Sequence, residues 1–94
     1  MKLVVSPEAA ADIERLRAFL AENNSDAAAK AAGILIEAVQ SLAELPERGR
    51  PSGIPGVREL IVAFGGSAYV VRYAHRISAK EVVILRIWHG REMR

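Results

Sequence analysis

At 94 residues the chain has room for one domain and one core, and a hydrophobic content of 51% excludes a disordered tail. It has no cysteine, which excludes disulfides, thiol catalysis and cysteine metal sites. The net charge of +2 is divided unevenly: residues 1–47 carry four cations and eight acids, residues 48–94 nine cations and three acids, or −4 against +6. That polarity points to an anionic partner for the second half, either nucleic acid or an acidic protein segment. Eight of the nine cations are arginine, which suits bidentate pairing with carboxylate or phosphate better than lysine does.

Lys2 to Val5 reads as a short strand. Its apolar run, Leu3 to Val5, is too short for a signal peptide or a membrane span, so a soluble cytoplasmic protein with no membrane partner is expected. Ser6-Pro7-Glu8 then starts a helix: serine caps, proline suits the first helical position, and glutamate meets the positive end of the dipole. Ala9, Ile13, Leu16 and Leu20 follow at helical spacing, with Phe19 beside them. Asn23-Asn24-Ser25-Asp26 breaks the pattern and supplies a second cap. The next helix carries one apolar stripe of Ala28, Ala32, Leu35, Val39 and Leu42. The short connection predicts an antiparallel helical hairpin, near 7–23 and 26–44. Alanines 27–29, 31 and 32 with Gly33 let the two helices approach closely.

Pro46 ends the second helix. ELPERGRPSGIPG, residues 44–56, is a loop with three prolines and three glycines, and the charge balance changes sign within it. Three strands follow: Val57–Phe64, a glycine turn at 65–67, Ala68–His75, a turn over 76–80, and Glu81–His89. The order β-α-α-β-β-β predicts an α+β, two-layer domain over 1–94, with the helical hairpin packed on an antiparallel sheet. Strict alternation in the last strand puts Val83, Leu85 and Ile87 on one face, and Val82, Ile84, Arg86 and Trp88 on the other. Trp88, Arg86 and Arg72 are then expected on the face the helices leave uncovered, either as an arginine-bordered binding surface or, with termini or loops covering that face, with Trp88 as ordinary core.

Candidate chemistry is sparse. His75 and His89 are the only histidines, with no HExxH or other metal spacing, and no Walker loop is present, so neither a metal nor a cofactor is expected. A metal-free ribonuclease needs a proton acceptor, a proton donor and cations for the phosphate, and His89 with Glu59, Arg72, Arg86 and Arg91 supplies those residue types. The bland alternative is a structural histidine and a solvated or partner-bound set of cations.

SPEAAADIERLRAFL, LPERGRP, VREL, YVVRY and ILRIWHGR, in this order and spacing, resemble the ParE side of the RelE/ParE superfamily, the toxins of type II toxin–antitoxin systems. The resemblance covers nearly the whole chain. It implies the β-α-α-β-β-β fold, growth inhibition, a plasmid-stabilising role and a ParD-like antitoxin as neutralising partner. ParE-like toxins poison DNA gyrase, whereas RelE-like relatives cut mRNA on the ribosome. RelE-like nucleases commonly carry an arginine directly after the first tyrosine of the third strand, and a tyrosine near the C-terminus. Here Tyr69 is followed by Val70, with arginine at Arg72, and no tyrosine follows His89. His89-Gly90-Arg91 is similar to the ParE pattern. The resemblance thus implies a gyrase inhibitor that acts by binding, with direct nucleic-acid contact secondary and the ribosome-dependent endoribonuclease as alternative. The expected antitoxin- or target-binding residues are Arg58, Arg72, Arg86, Trp88, His89 and Arg91.

Overall fold

The computed structural model describes residues 1–23, 25–64 and 66–90. In chain order the elements are β1 (Lys2–Val5), α1 (Pro7–Asn23), α2 (Ser25–Ser41), β2 (Arg50–Pro51), β3 (Val57–Phe64), β4 (Ser67–Arg76) and β5 (Glu81–His89). The helical hairpin packs on one face of a five-stranded sheet of order β1-β5-β4-β3-β2. This is the expected α+β two-layer architecture.

The sheet is mixed, not purely antiparallel as expected. The β3–β4–β5 meander is antiparallel, but β1 pairs with β5 in parallel, from Lys2 opposite Glu81 to Val5 opposite Ile84. The helices explain this. Ser6 lies against Ile84 and Leu85, and Asp12 and Arg15 against Ile87, so α1 runs on in the direction of β1. α2 then returns, and its end lies at the start of β1, where the Met1 amine donates to Ala43 O at 2.8 Å. The chain therefore re-enters the sheet at the end where it began. β3 runs the same way as β1, and so does β5 after two reversals.

Ser6 caps α1 as the sequence predicts: its Oγ accepts from Ala9 N at 3.0 Å. The α2 stripe is buried at Ala28, Leu35, Val39 and Leu42, but the helix ends at Ser41 and continues only as turns. Phe19, expected beside the α1 stripe, is 58% exposed. The loop after α2 holds the unexpected two-residue β2, which pairs with Arg58 and Glu59 of β3.

The largest departure lies in β5. Arg72 pairs with Arg86 but Tyr73 pairs with Ile84, so Leu85 is the extra residue of a β-bulge. The bulge breaks the alternation. Val82, Ile84 and Ile87 are all fully buried in the core with Leu42, Val71 and Tyr73. Val82 and Ile84 therefore do not share a face with Trp88, as strict alternation had them.

Candidate functional site

The loop motif is a staple around one phenol. Tyr73 OH, with no solvent exposure, donates to Pro46 O at 2.7 Å and accepts from Gly49 N at 2.9 Å. A Cβ on Gly49 would sit 2.8 Å from the Tyr73 ring and 2.9 Å from Glu59 O, so only glycine fits there. Burial pushes the Tyr73 hydroxyl up from its ordinary value. Arg58 completes the staple, donating to Gly49 O at 2.7 Å. Its guanidinium holds the loop backbone.

On the uncovered face, Arg50, Glu59, Arg72 and Arg86 occupy matching positions on four adjacent strands. Glu59 accepts two bonds from Arg72, at 2.7 and 3.1 Å, and lies 3.7 Å from Arg50. The Arg72 guanidinium also stacks on Trp88, 5.1 Å from the ring centroid. Beneath it Trp88 is only 8% exposed, so the indole contributes little open surface.

Arg86 is held from the helical layer. Its Nε and a terminal nitrogen donate to Asp12 at 2.8 and 3.1 Å, and the Ile87 amide donates to the same carboxylate at 2.8 Å. Asp12 is 4% exposed, the one buried charged residue among those described. Burial alone would push its carboxyl up. The bonds from Arg86, Ile87 N–H and Arg15 outweigh that and hold it below the ordinary carboxylate value.

His89 lies opposite Tyr69 in the β4–β5 register, with the two rings edge-on at 5.3 Å. Tyr69 belongs to the core, so His89 faces the helical side, while Trp88 and Arg72 face away. His75 sits at the other end of β4, its Nε2 buried with no hydrogen-bond partner among the described residues. Arg91 lies outside the described residues. Of the six expected site residues, the structure brings Arg72 and Trp88 together. It commits Arg58 to a loop and Arg86 to α1, and turns His89 to the opposite side of the sheet. Among the described residues, no three His, Asp or Glu side chains cluster so as to hold a metal ion, and no helix is long and apolar enough to cross a membrane.

A cleft of about 240 Å³ opens between the helical hairpin and the β1 edge of the sheet. Leu3 and Val5 line it from β1, Ile13 and Leu16 from α1, Ala32 and Ile36 from α2, and Tyr69 forms part of its floor. Apart from Tyr69, Arg17 and Gln40 are its only lining residues with polar side chains among those described. Val5 and Ile36 remain 43% and 49% exposed, which leaves apolar surface on both sides of the cleft.

Residues 3–94 match the family model described as the ParE toxin of the type II toxin–antitoxin system parDE. The chain belongs to the ParE toxin family. Toxin RelE1 of Caulobacter vibrioides is 45% identical over 92 residues, covering 98% of this chain and 96% of that protein. Toxin RelE3 of the same organism is 34% identical over 90 residues, covering 96% and 95%. Among solved structures, the chromosomal ParDE toxin–antitoxin system from P. aeruginosa superposes with a TM-score of 0.78, at 30% identity and 95% coverage of each chain.

In this ParE-family toxin, the motifs behind the resemblance are largely structural. LPERGRP, VREL and YVVRY supply Pro46, Gly49, Arg58, Glu59, Arg72 and Tyr73, which staple the loop and tie the strands. The cleft was not legible as a site. Its only sequence signal is the alanine run of α2, which reads equally well as close helix packing.

Proposed function

We propose that this toxin acts by binding and not by catalysis: it inhibits DNA gyrase in the cytoplasm, and a cognate ParD-like antitoxin neutralises it by docking in the cleft. The observation that carries the binding reading is the separation of His89 from Arg72, which lie on opposite faces of the sheet. Phosphoryl chemistry without a metal needs a proton-transfer group and a cation converging on one phosphate. Here Arg58, Arg72 and Arg86 each already serve an internal acceptor. The ParDE neighbour supports an antitoxin partner, and an apolar cleft suits an apolar partner segment better than the arginines do.

The endoribonuclease reading draws on one observation, the contact of Tyr69 with His89, which pairs two residues able to move protons. One experiment separates the two. The toxin is expressed without antitoxin, and gyrase-dependent DNA cleavage and mRNA integrity are followed at early times. The expected result is gyrase trapped on cleaved DNA with intact mRNA, unchanged in kind by His89→Ala. Prompt mRNA cleavage with intact DNA, lost on the order of 10²–10⁴-fold in His89→Ala, would overturn the binding reading.

A further inference from the structure

β5 outruns its neighbour. β1 pairs with it only as far as Ile84, yet β5 continues to His89. An uncovered strand edge exposes amides and carbonyls that invite pairing or fraying. Here Ser6, which caps α1, and two side chains of the first turns of α1 close that edge. Ser6 N donates to Ile84 O at 3.0 Å, and Ser6 Oγ donates to the bulge carbonyl of Leu85 at 3.1 Å. Asp12 accepts from Ile87 N at 2.8 Å, and Arg15 donates to Ile87 O at 3.3 Å. Asp12 and Arg15 thus offer Ile87 the acceptor and donor that a neighbouring strand would have offered. Asp12 at the same time fixes Arg86, the residue after the bulge.

We propose that Asp12 is a positioning residue for the end of β5: by standing in for the missing strand at Ile87 it sets where Trp88 and His89 lie, and growth inhibition depends on that placement. The proposal rests on the reading of the chain as an active toxin, and adds to it that the end of β5 takes part in target contact. Asp12 itself is buried, and acts through Ile87 and Arg86. The bulge makes such a clamp necessary. A bulge loosens pairing at the point where it inserts, and the residues beyond Leu85 hold only β4 on their other side.

The test uses the full-length chain with Asp12→Ala and Asp12→Asn. Asparagine keeps an oxygen for Ile87 N–H and loses the charge that holds Arg86; alanine loses both. In Asp12→Ala the Ile87 amide should exchange about tenfold faster or more, relative to the amides of Val82 and Ile84. The emission of Trp88, the only tryptophan, should shift to the red, and growth inhibition should be lost. In Asp12→Asn, Ile87 protection, Trp88 emission and toxicity should stay close to those of the parent. A purely electrostatic contribution to stability would instead affect both variants alike. Exchange that rises equally at Ile87, Val82 and Ile84 would overturn the proposal, as would a loosened β5 end with unchanged toxicity. If Asp12→Ala does not fold, native-state hydrogen exchange of the parent decides. The Ile87 amide, bonded only to the Asp12 carboxylate on its open side, should exchange as slowly as the amides of Val82 and Ile84, and exchange as fast as that of an unpaired edge amide would refute the clamp. A parent chain that does not inhibit growth would defeat the toxin reading alone, since the exchange and emission results would still report on the clamp.

Discussion

The Tyr73 hydroxyl lies out of solvent between a carbonyl and an amide of one loop, and each depends on it for a partner. Phenylalanine would keep the ring and its packing while leaving Pro46 O and Gly49 N without that oxygen. A buried polar group left unpaired costs about 1–3 kcal/mol. Tyr73→Phe should therefore lower the urea midpoint by an equivalent amount, with an unchanged denaturant slope. A midpoint equal to that of the parent would mean that the loop re-pairs elsewhere. Asp12 gives a prediction in pH. Its carboxyl is held below the ordinary value of 3.8, so the folded state favours the ionised form. The stabilisation is complete above the unfolded-state value and is lost as pH falls through the folded-state value. The stability gap between the parent and Asp12→Asn should be constant near neutrality and shrink below pH 3.8, measured by denaturant unfolding at a series of pH values. A gap that persists at acid pH would assign the effect to packing.

At the scale of elements, what could be read from sequence divides along the range of the interactions that decide it. The start of α1, that of α2 to within one residue, the ends of β1, β3 and β5, and the order of segments follow from local signals: Ser6-Pro7, the apolar stripes and the glycine turn. The bulge at Leu85 follows from no local signal. Nothing in EVVILRIWH marks the extra residue, because it is fixed by Ser6 at its carbonyl and Asp12 just beyond, 79 and 74–75 positions away. Missing it put Val82 and Ile84 on the face of Trp88. The parallel pairing of β1 was hidden in the same way, since it depends on the directions of two helices and not on the strand itself. The candidate site fared worst. Arginines read as binding groups because their internal acceptors are distant in sequence: Glu59 lies 13 residues from Arg72, and Asp12 lies 74 from Arg86.

For the whole molecule, the charge asymmetry and the apolar cleft make different claims about the partner. The arginine-rich half predicts an acidic antitoxin, but three of its arginines are engaged within the fold and one covers the only tryptophan. The cleft has almost no polar lining and exposed apolar residues on either side of it. Interface energy concentrates where apolar anchors fill pockets, with charges at the rim acting more on rate and specificity. Bulk placed in the cleft should therefore weaken the antitoxin more than loss of a surface charge does. Ala32→Phe adds a ring to a partly buried wall of the cleft, in space that is open, so the fold should tolerate it. Ile36→Asp puts a charge where the partner's apolar face would lie. Each should reduce antitoxin affinity by about tenfold or more, equivalent to about 1.4 kcal/mol, with little change in melting temperature. Arg50→Ala, at an exposed arginine on the opposite side of the sheet, should change it far less. The measurement is titration calorimetry with the cognate antitoxin, matched by co-expression. Cells carrying antitoxin with the Ala32→Phe toxin should stay growth-inhibited, because that toxin keeps its β5 end and loses only its inhibitor. Full affinity in both cleft variants, with a loss at Arg50, would move the antitoxin from the cleft to the arginine face.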